Sequence, residues 1–309
     1  MRFFRGLRGL TRLFSIHQES IRTFRTSHVY AAPMASLACR VHRDRRFLAL
    51  ALLVLCGSGV SCAQTIVRPS VTVTAPATDA LLVLPGFGYT REGERAIRSL
   101  APSLAADGIE LFVPTYIARG GLDDSRDRLR QFIRQQPLDR YRQVHVFAFI
   151  AGGWTINPLL EAGELPNLAT VVYDRSPMQE RAARIADEKM HLLTWLRYGS
   201  PVFDLARTPY PPFTREAVRV GLVVETMPTS FMRRQAATAR SYGPMRFECD
   251  QFSQRYDDCA FMPFSHDDMY RRFPDVWPQV KAFIRSGRFT DDATRTPPAG
   301  DPLTPAKRG

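Results

Sequence analysis

Histidine and cysteine are scarce beyond the first fifth of the chain. Of six histidines only His145, His191 and His266 lie beyond residue 63, and of five cysteines only Cys249 and Cys259. A structural zinc site needs four such ligands grouped together, so no metal site is expected, and nothing in the sequence asks for another cofactor. Nor does any apolar run reach the roughly 20 residues of a membrane-spanning helix, and no internal repeat is present. Beyond residue 63 there is no Lys/Arg run interleaved with aromatics, which matters because the net charge is +12. Residues 1–63 hold 10 Arg against 2 acids, a net +8, and leave only +4 for the rest. The basicity belongs to the leader, and nucleic acid is excluded as a partner.

What is there begins with an export pattern. A basic stretch (Arg40, His42, Arg43, Arg45, Arg46) precedes the apolar run Phe47 to Leu55, and Ser61-Cys62-Ala63 then offers a cleavage point before Gln64. Residues 34–63 therefore read as a signal peptide, and the mature chain is expected to be periplasmic or secreted. Residues 1–33, Arg-rich and acid-poor, fit either an organellar transit peptide or, the preferred reading, a start placed too early. Membrane association would come only through an uncleaved leader or a lipid on Cys62, whose setting Gly59-Val60-Ser61-Cys62 departs from a lipobox at Gly59. In an exported chain, Cys249 and Cys259 are expected to form a disulfide.

Short apolar runs alternate with amphipathic segments across residues 64–289. Ala80 to Leu84, Ile109 to Val113, Gln143 to Phe149, Leu168 to Tyr173 and Val218 to Glu225 read as strands, and Thr65 to Asp79 as a source of an edge strand. Arg91 to Asp107, Asp123 to Gln136, Ile150 to Leu160, Met178 to Tyr198 and Val276 to Ser286 read as helices. Buried strands separated by single helices imply an α/β fold, a doubly wound, mostly parallel sheet with helices on both faces. Residues 290–309, rich in Pro, Asp and Thr, read as a disordered tail.

Two turns carry a resemblance. Pro85-Gly86-Phe87-Gly88 follows the first buried strand, and Ala148-Phe149-Ile150-Ala151-Gly152 links the strand Gln143 to Phe149 to a helix, with small residues two positions either side of Ile150. In this order they resemble the α/β-hydrolase superfamily, its lipase and esterase branch in particular. The resemblance implies that the backbone NH groups of Phe87 and Ala151 form an oxyanion hole, supported by Gly86, Gly88 and Gly152. It makes Ile150 the occupant of the nucleophile position. Isoleucine has no nucleophilic atom, so a covalent acyl-enzyme there is excluded. The family's chain order, nucleophile then acid then histidine, is met by Glu225, with Asp174 as the rival acid, and by His266. His145, inside a strand, reads as a packed residue and His191 as a surface residue.

The segment 178–212 falls where many lipases carry a helical cap, and its cluster Met190, Leu192, Leu193, Trp195 and Leu196 reads as core packed inward over the site. Three functions follow. The first is a degenerate hydrolase-like protein that keeps a pocket for a small apolar or acyl ligand. The second is an esterase or lipase-like enzyme using His266 as general base or a substitute nucleophile such as Ser176. The third is an envelope interaction protein.

Overall fold

The computed structural model describes residues 77–304. The leader, the cleavage point, Cys62 and most of the stretch Thr65 to Asp79 lie outside the described residues.

Six strands form one parallel sheet in the order β2-β1-β3-β4-β5-β6. They are β1 (Asp79–Leu84), β2 (Ile109–Phe112), β3 (Gln143–Ala148), β4 (Leu168–Arg175), β5 (Arg219–Glu225) and β6 (Asp258–Met262). The central strands are largely apolar because both of their faces are covered. Along β1, Leu82 and Leu84 join one core with Val146 and Ala148, while Leu81 and Val83 join the other with Phe147. The chain runs from β1 outward to β2, then crosses back to β3. The strand order therefore reverses between β1 and β3, the place where open α/β sheets form a crevice at their carboxyl ends.

The helices are α1 (Arg91–Arg98), α2 (Ala101–Ala106), α3 (Leu122–Gln135), α4 (Ile150–Glu161), α5 (Gln179–Tyr198), α6 (Pro201–Arg207), α7 (Ser230–Arg234), α8 (Ala236–Ser241), α9 (His266–Arg271) and α10 (Phe273–Ser286). The single helix expected over Arg91 to Asp107 is two, because Pro102 cannot continue the hydrogen-bond ladder of α1 and instead starts α2. Strand β6 was not anticipated. Its sequence DCAFM is short and begins with a charge, so it carries little periodicity. Cys259 on this strand and Cys249 ahead of it form the expected disulfide, with Cα atoms 6.5 Å apart.

The expected disordered tail is corrected over residues 290–304. Part of this segment packs along the outer edge of β6, where Phe261 N donates to Thr294 O at 2.8 Å and Arg295 pairs with Asp258; further on Asp301 pairs with Arg240 of α8 and Leu303 is buried. An edge strand leaves unpaired backbone groups, and a Pro-rich segment that covers them is tied down by that demand.

Candidate active site

Four strand ends meet at the reversal point. The β1 end leads into Pro85-Gly86-Phe87-Gly88, and two tyrosines hold that loop. Tyr116 Oη donates to Pro85 O at 2.6 Å, and Gly86 N donates to Tyr270 Oη at 2.9 Å. The two glycines are there for different reasons. Gly88 has φ +77° and open space around it, so the turn's backbone requires it. At Gly86 a Cβ would stand 3.0 Å from Tyr270 Oη and 3.4 Å from Ala151 Cβ, so close packing requires it. That packing brings the Phe87 loop against the first turn of α4.

β3 passes into α4 through Phe149, extended at φ −65° and ψ 160°, whose NH bonds Leu84 O at 3.1 Å. Ile150 is the first residue of the helix. A Cβ on Gly152 would lie 2.8 Å from Leu84 O, which gives a steric reason for a small residue two positions after Ile150. One feature of the nucleophile turn is missing. Such turns are strained, yet among the described residues only Asn167 is a non-glycine with positive φ. The turn at Ile150 is an ordinary helix start. Its side chain packs with Leu122 and Trp154, against Leu205 and Tyr210, beneath the chain that links β4 to β5.

The acids come from β4 and β5. Asp174 is in register with Val223, and Glu225 lies two residues on, so both carboxyls emerge on one face of the sheet. His266 opens α9 after β6. Its Nδ1 is 2.7 Å from Glu225 Oε1 and 3.8 Å from Asp174 Oδ2, with all three residues buried. Glu225 is thus the direct partner and Asp174 stands behind it. Burial pushes the Glu225 carboxyl up to about 8 and, together with the Glu225 charge, lifts Asp174 well above the carboxylate range. Both Asp174 oxygens and Glu225 Oε2 are buried without a hydrogen-bond partner among the described residues, an arrangement that favours protonated over charged carboxyls. Burial lowers the His266 pKa, so the ring is neutral and its Nδ1–H donates to Glu225. These three residues could also present a cation with ligand atoms within 4.8 Å of one another, although His266 Nδ1 is already engaged.

Tyr270 was missed in the sequence. It lies one helical turn after His266, with Oη 3.3 Å from His266 Nε2 and 3.3 Å from Phe87 O. The phenol accepts from Gly86 N and faces the imidazole, and its ring lies 4.4 Å from that of Phe149. Burial raises its pKa well above the ordinary phenol value, so it stays protonated. The histidine nitrogen that would take a nucleophile's proton has a tyrosine hydroxyl as its neighbour. The one sequence trace of it is weak: Ser265 and Asp268 form an S-x-x-D helix start, with Asp268 N donating to Ser265 Oγ, and on that helix His266 and Tyr270 share a face.

Of the other candidates the two histidines lie apart, whereas Ser176 stays beside Glu225, whose carboxyl its side-chain hydrogen bond pulls down against the effect of burial. His145 is buried in β3, 2.7 Å from Thr170 Oγ1, and burial takes its pKa down to about 4. His191 is exposed on α5 beside Asp187. Ser176 Oγ is buried and accepts from Gln179 N at the start of α5. The neighbouring Arg175 is also buried, paired with Glu180 and 3.8 Å above the Tyr210 ring. The expected inward cluster on the cap is corrected: Leu192, Leu193, Trp195 and Leu196 are 40–68% exposed, and Thr194 is the residue that turns inward.

No protein-family model matches the chain, and no curated protein matches it. Solved structures do. A lipase from Bacillus licheniformis superposes with a TM-score of 0.50 at 12% identity, over 75% of this chain and all of its own. A juvenile hormone epoxide hydrolase from the silkworm Bombyx mori gives 0.44 at 10% identity, over 71% and 72%, and a Bacillus anthracis bromoperoxidase 0.40 at 11%, over 68% and 93%. The chain has the α/β-hydrolase fold.

Proposed function

We propose that this α/β-hydrolase-fold chain is an exported, non-catalytic protein that binds a small apolar or acyl ligand and performs no acyl transfer. The observation that carries the reading is the engagement of Tyr270: its hydroxyl takes the Gly86 NH and faces His266 Nε2. The histidine that would activate a nucleophile thereby has its Nε2 already faced by a hydroxyl in the resting protein. Ile150 supports the same reading, since it offers no atom for covalent chemistry and packs as a hydrophobe. The apolar group around it, Leu122, Trp154, Leu205 and Tyr210, suits an aliphatic ligand better than a hydrolytic water. The Cys249–Cys259 disulfide favours an oxidising compartment.

The test is labelling by a fluorophosphonate probe alongside turnover of short-chain nitrophenyl esters. The wild type stays unlabelled and inactive. Ile150→Ser alone stays inactive as well, because Tyr270 still faces His266, whereas Ile150→Ser with Tyr270→Ala acquires label at residue 150. Labelling of any wild-type serine would sink the proposal.

The intact Glu225–His266 contact favours one second reading, in which His266 acts on water as a general base with no covalent intermediate. Under it the wild type turns esters over without being labelled, and His266→Ala abolishes that turnover.

A further inference from the structure

We propose that the second half of α5, from Lys189 to Arg197, docks on an anionic phospholipid bilayer. Of the five large hydrophobic side chains exposed among the described residues, four are on these two turns: Leu192, Leu193, Trp195 and Leu196. At 100° per residue they span an arc of about 160° opposite Thr194, the one side chain of these turns that is buried. A helix that belongs only to a globular core turns its apolar arc inward, and this one turns it out. The segment is set off from the rest of α5 by non-helical backbone at Met190, φ −141° and ψ 31°. Its carbonyl end is held by Arg119, which donates to the oxygens of Trp195, Leu196 and Arg197.

Charge decides the occupant. No acidic residue occurs from Lys189 to Ser200. Lys189, Arg197 and Arg119 are all exposed, and none makes an ion pair among the described residues. The acids earlier on the helix are already matched, Asp187 by Arg207 and Glu188 by Arg184. A second copy of the chain would bring these cations against their own kind. A bilayer of anionic lipid instead meets them with phosphate while the leucines and Trp195 enter the acyl boundary. The inference rests on the face of the helix alone and is independent of the state of His266.

The chain carries its own reporter. Of three tryptophans, Trp154 and Trp277 are buried and Trp195 is 48% exposed. With the full chain and phosphatidylglycerol vesicles, Trp195 emission shifts to the blue and the protein co-sediments. Leu192→Ser with Leu193→Ser and Leu196→Ser weakens partitioning at least about tenfold, with circular dichroism unchanged because these side chains are exposed. Lys189→Glu and Arg197→Glu, which leave the apolar arc intact, each weaken it on the order of fivefold, and only for anionic vesicles. The leader is common to every variant, so differences belong to the helix. Unshifted emission, or variants that partition like the wild type, overturns the proposal. So does a lipid-free dimer that the triple variant dissociates, which would give the face to a second copy.

Discussion

A β-branched side chain at positive φ is costly, since its Cβ substituents crowd the backbone on both sides. Ile150 avoids that cost by opening α4 as a plain helix residue. The absence of a nucleophilic atom and the relaxed turn go together at one position. Tyr270 completes the change by satisfying Gly86 N and facing His266 Nε2. Tyr270→Phe keeps the ring and removes only the hydroxyl, which leaves the Gly86 NH buried without a partner. The expected loss is about 1–3 kcal/mol of unfolding free energy in urea. The His266 Nε2 resonance should move with it in ¹⁵N NMR, and a variant as stable as the wild type with that resonance unmoved would remove Tyr270 from the account. The strand-to-helix turn at Ile150 was legible in the sequence because an apolar run ends there between the small residues Ala148 and Gly152. Tyr270 was not, because its meaning depends on α9 being a helix, and Pro263-Phe264-Ser265-His266 reads first as a loop.

Elements were legible where packing on two faces forces a continuous apolar run, as in β1, β3 and β5. They were illegible where tertiary contacts do the work: β6 exists through its pairing with β5, and part of the segment 290–304 is held by the exposed edge of β6. The cap shows the converse failure. Leu192, Leu193, Trp195 and Leu196 have the composition of a core, and composition does not say which way a helix face turns. The junction of β1 with α4 offers a test at this scale. At Gly152→Ala the new Cβ meets Leu84 O at 2.8 Å and Leu84 Cβ at 3.0 Å, both on a strand that cannot swing aside. We expect a loss of about 1–3 kcal/mol by overpacking, seen as a lower denaturation midpoint. Gly88→Asn, in open space at φ +77°, should cost less than Gly88→Ala, because asparagine tolerates that backbone better. Equal costs at position 88 would argue against conformation as the reason for the glycine.

For the molecule as a whole, the buried Asp174–Glu225–His266 group makes folding stability depend on pH in a way that separates it from the exposed ion pairs. Glu225 and Asp174 both have raised pKa values when folded, so the folded chain holds protons that the unfolded chain releases. Their contribution is complete below the ordinary carboxylate range, falls as pH rises, and for Glu225 is gone above about 8. His266 has a lowered pKa and works the other way, adding stability as pH rises toward its ordinary value near 6.5. Between about pH 6.5 and 8 the carboxyls act alone, and stability should decline with a slope of up to about 1.4 kcal/mol per pH unit for each proton involved. Urea unfolding across that window measures the slope directly. Glu225→Gln removes the titrating group while an amide oxygen still accepts from His266 Nδ1, so it should flatten the decline. Asp127→Asn, at an exposed ion pair on α3, should leave it unchanged. A wild-type profile already flat from 6.5 to 8 would mean that the two carboxyls hold no proton there, and the pairing of Asp174 behind Glu225 would need another explanation.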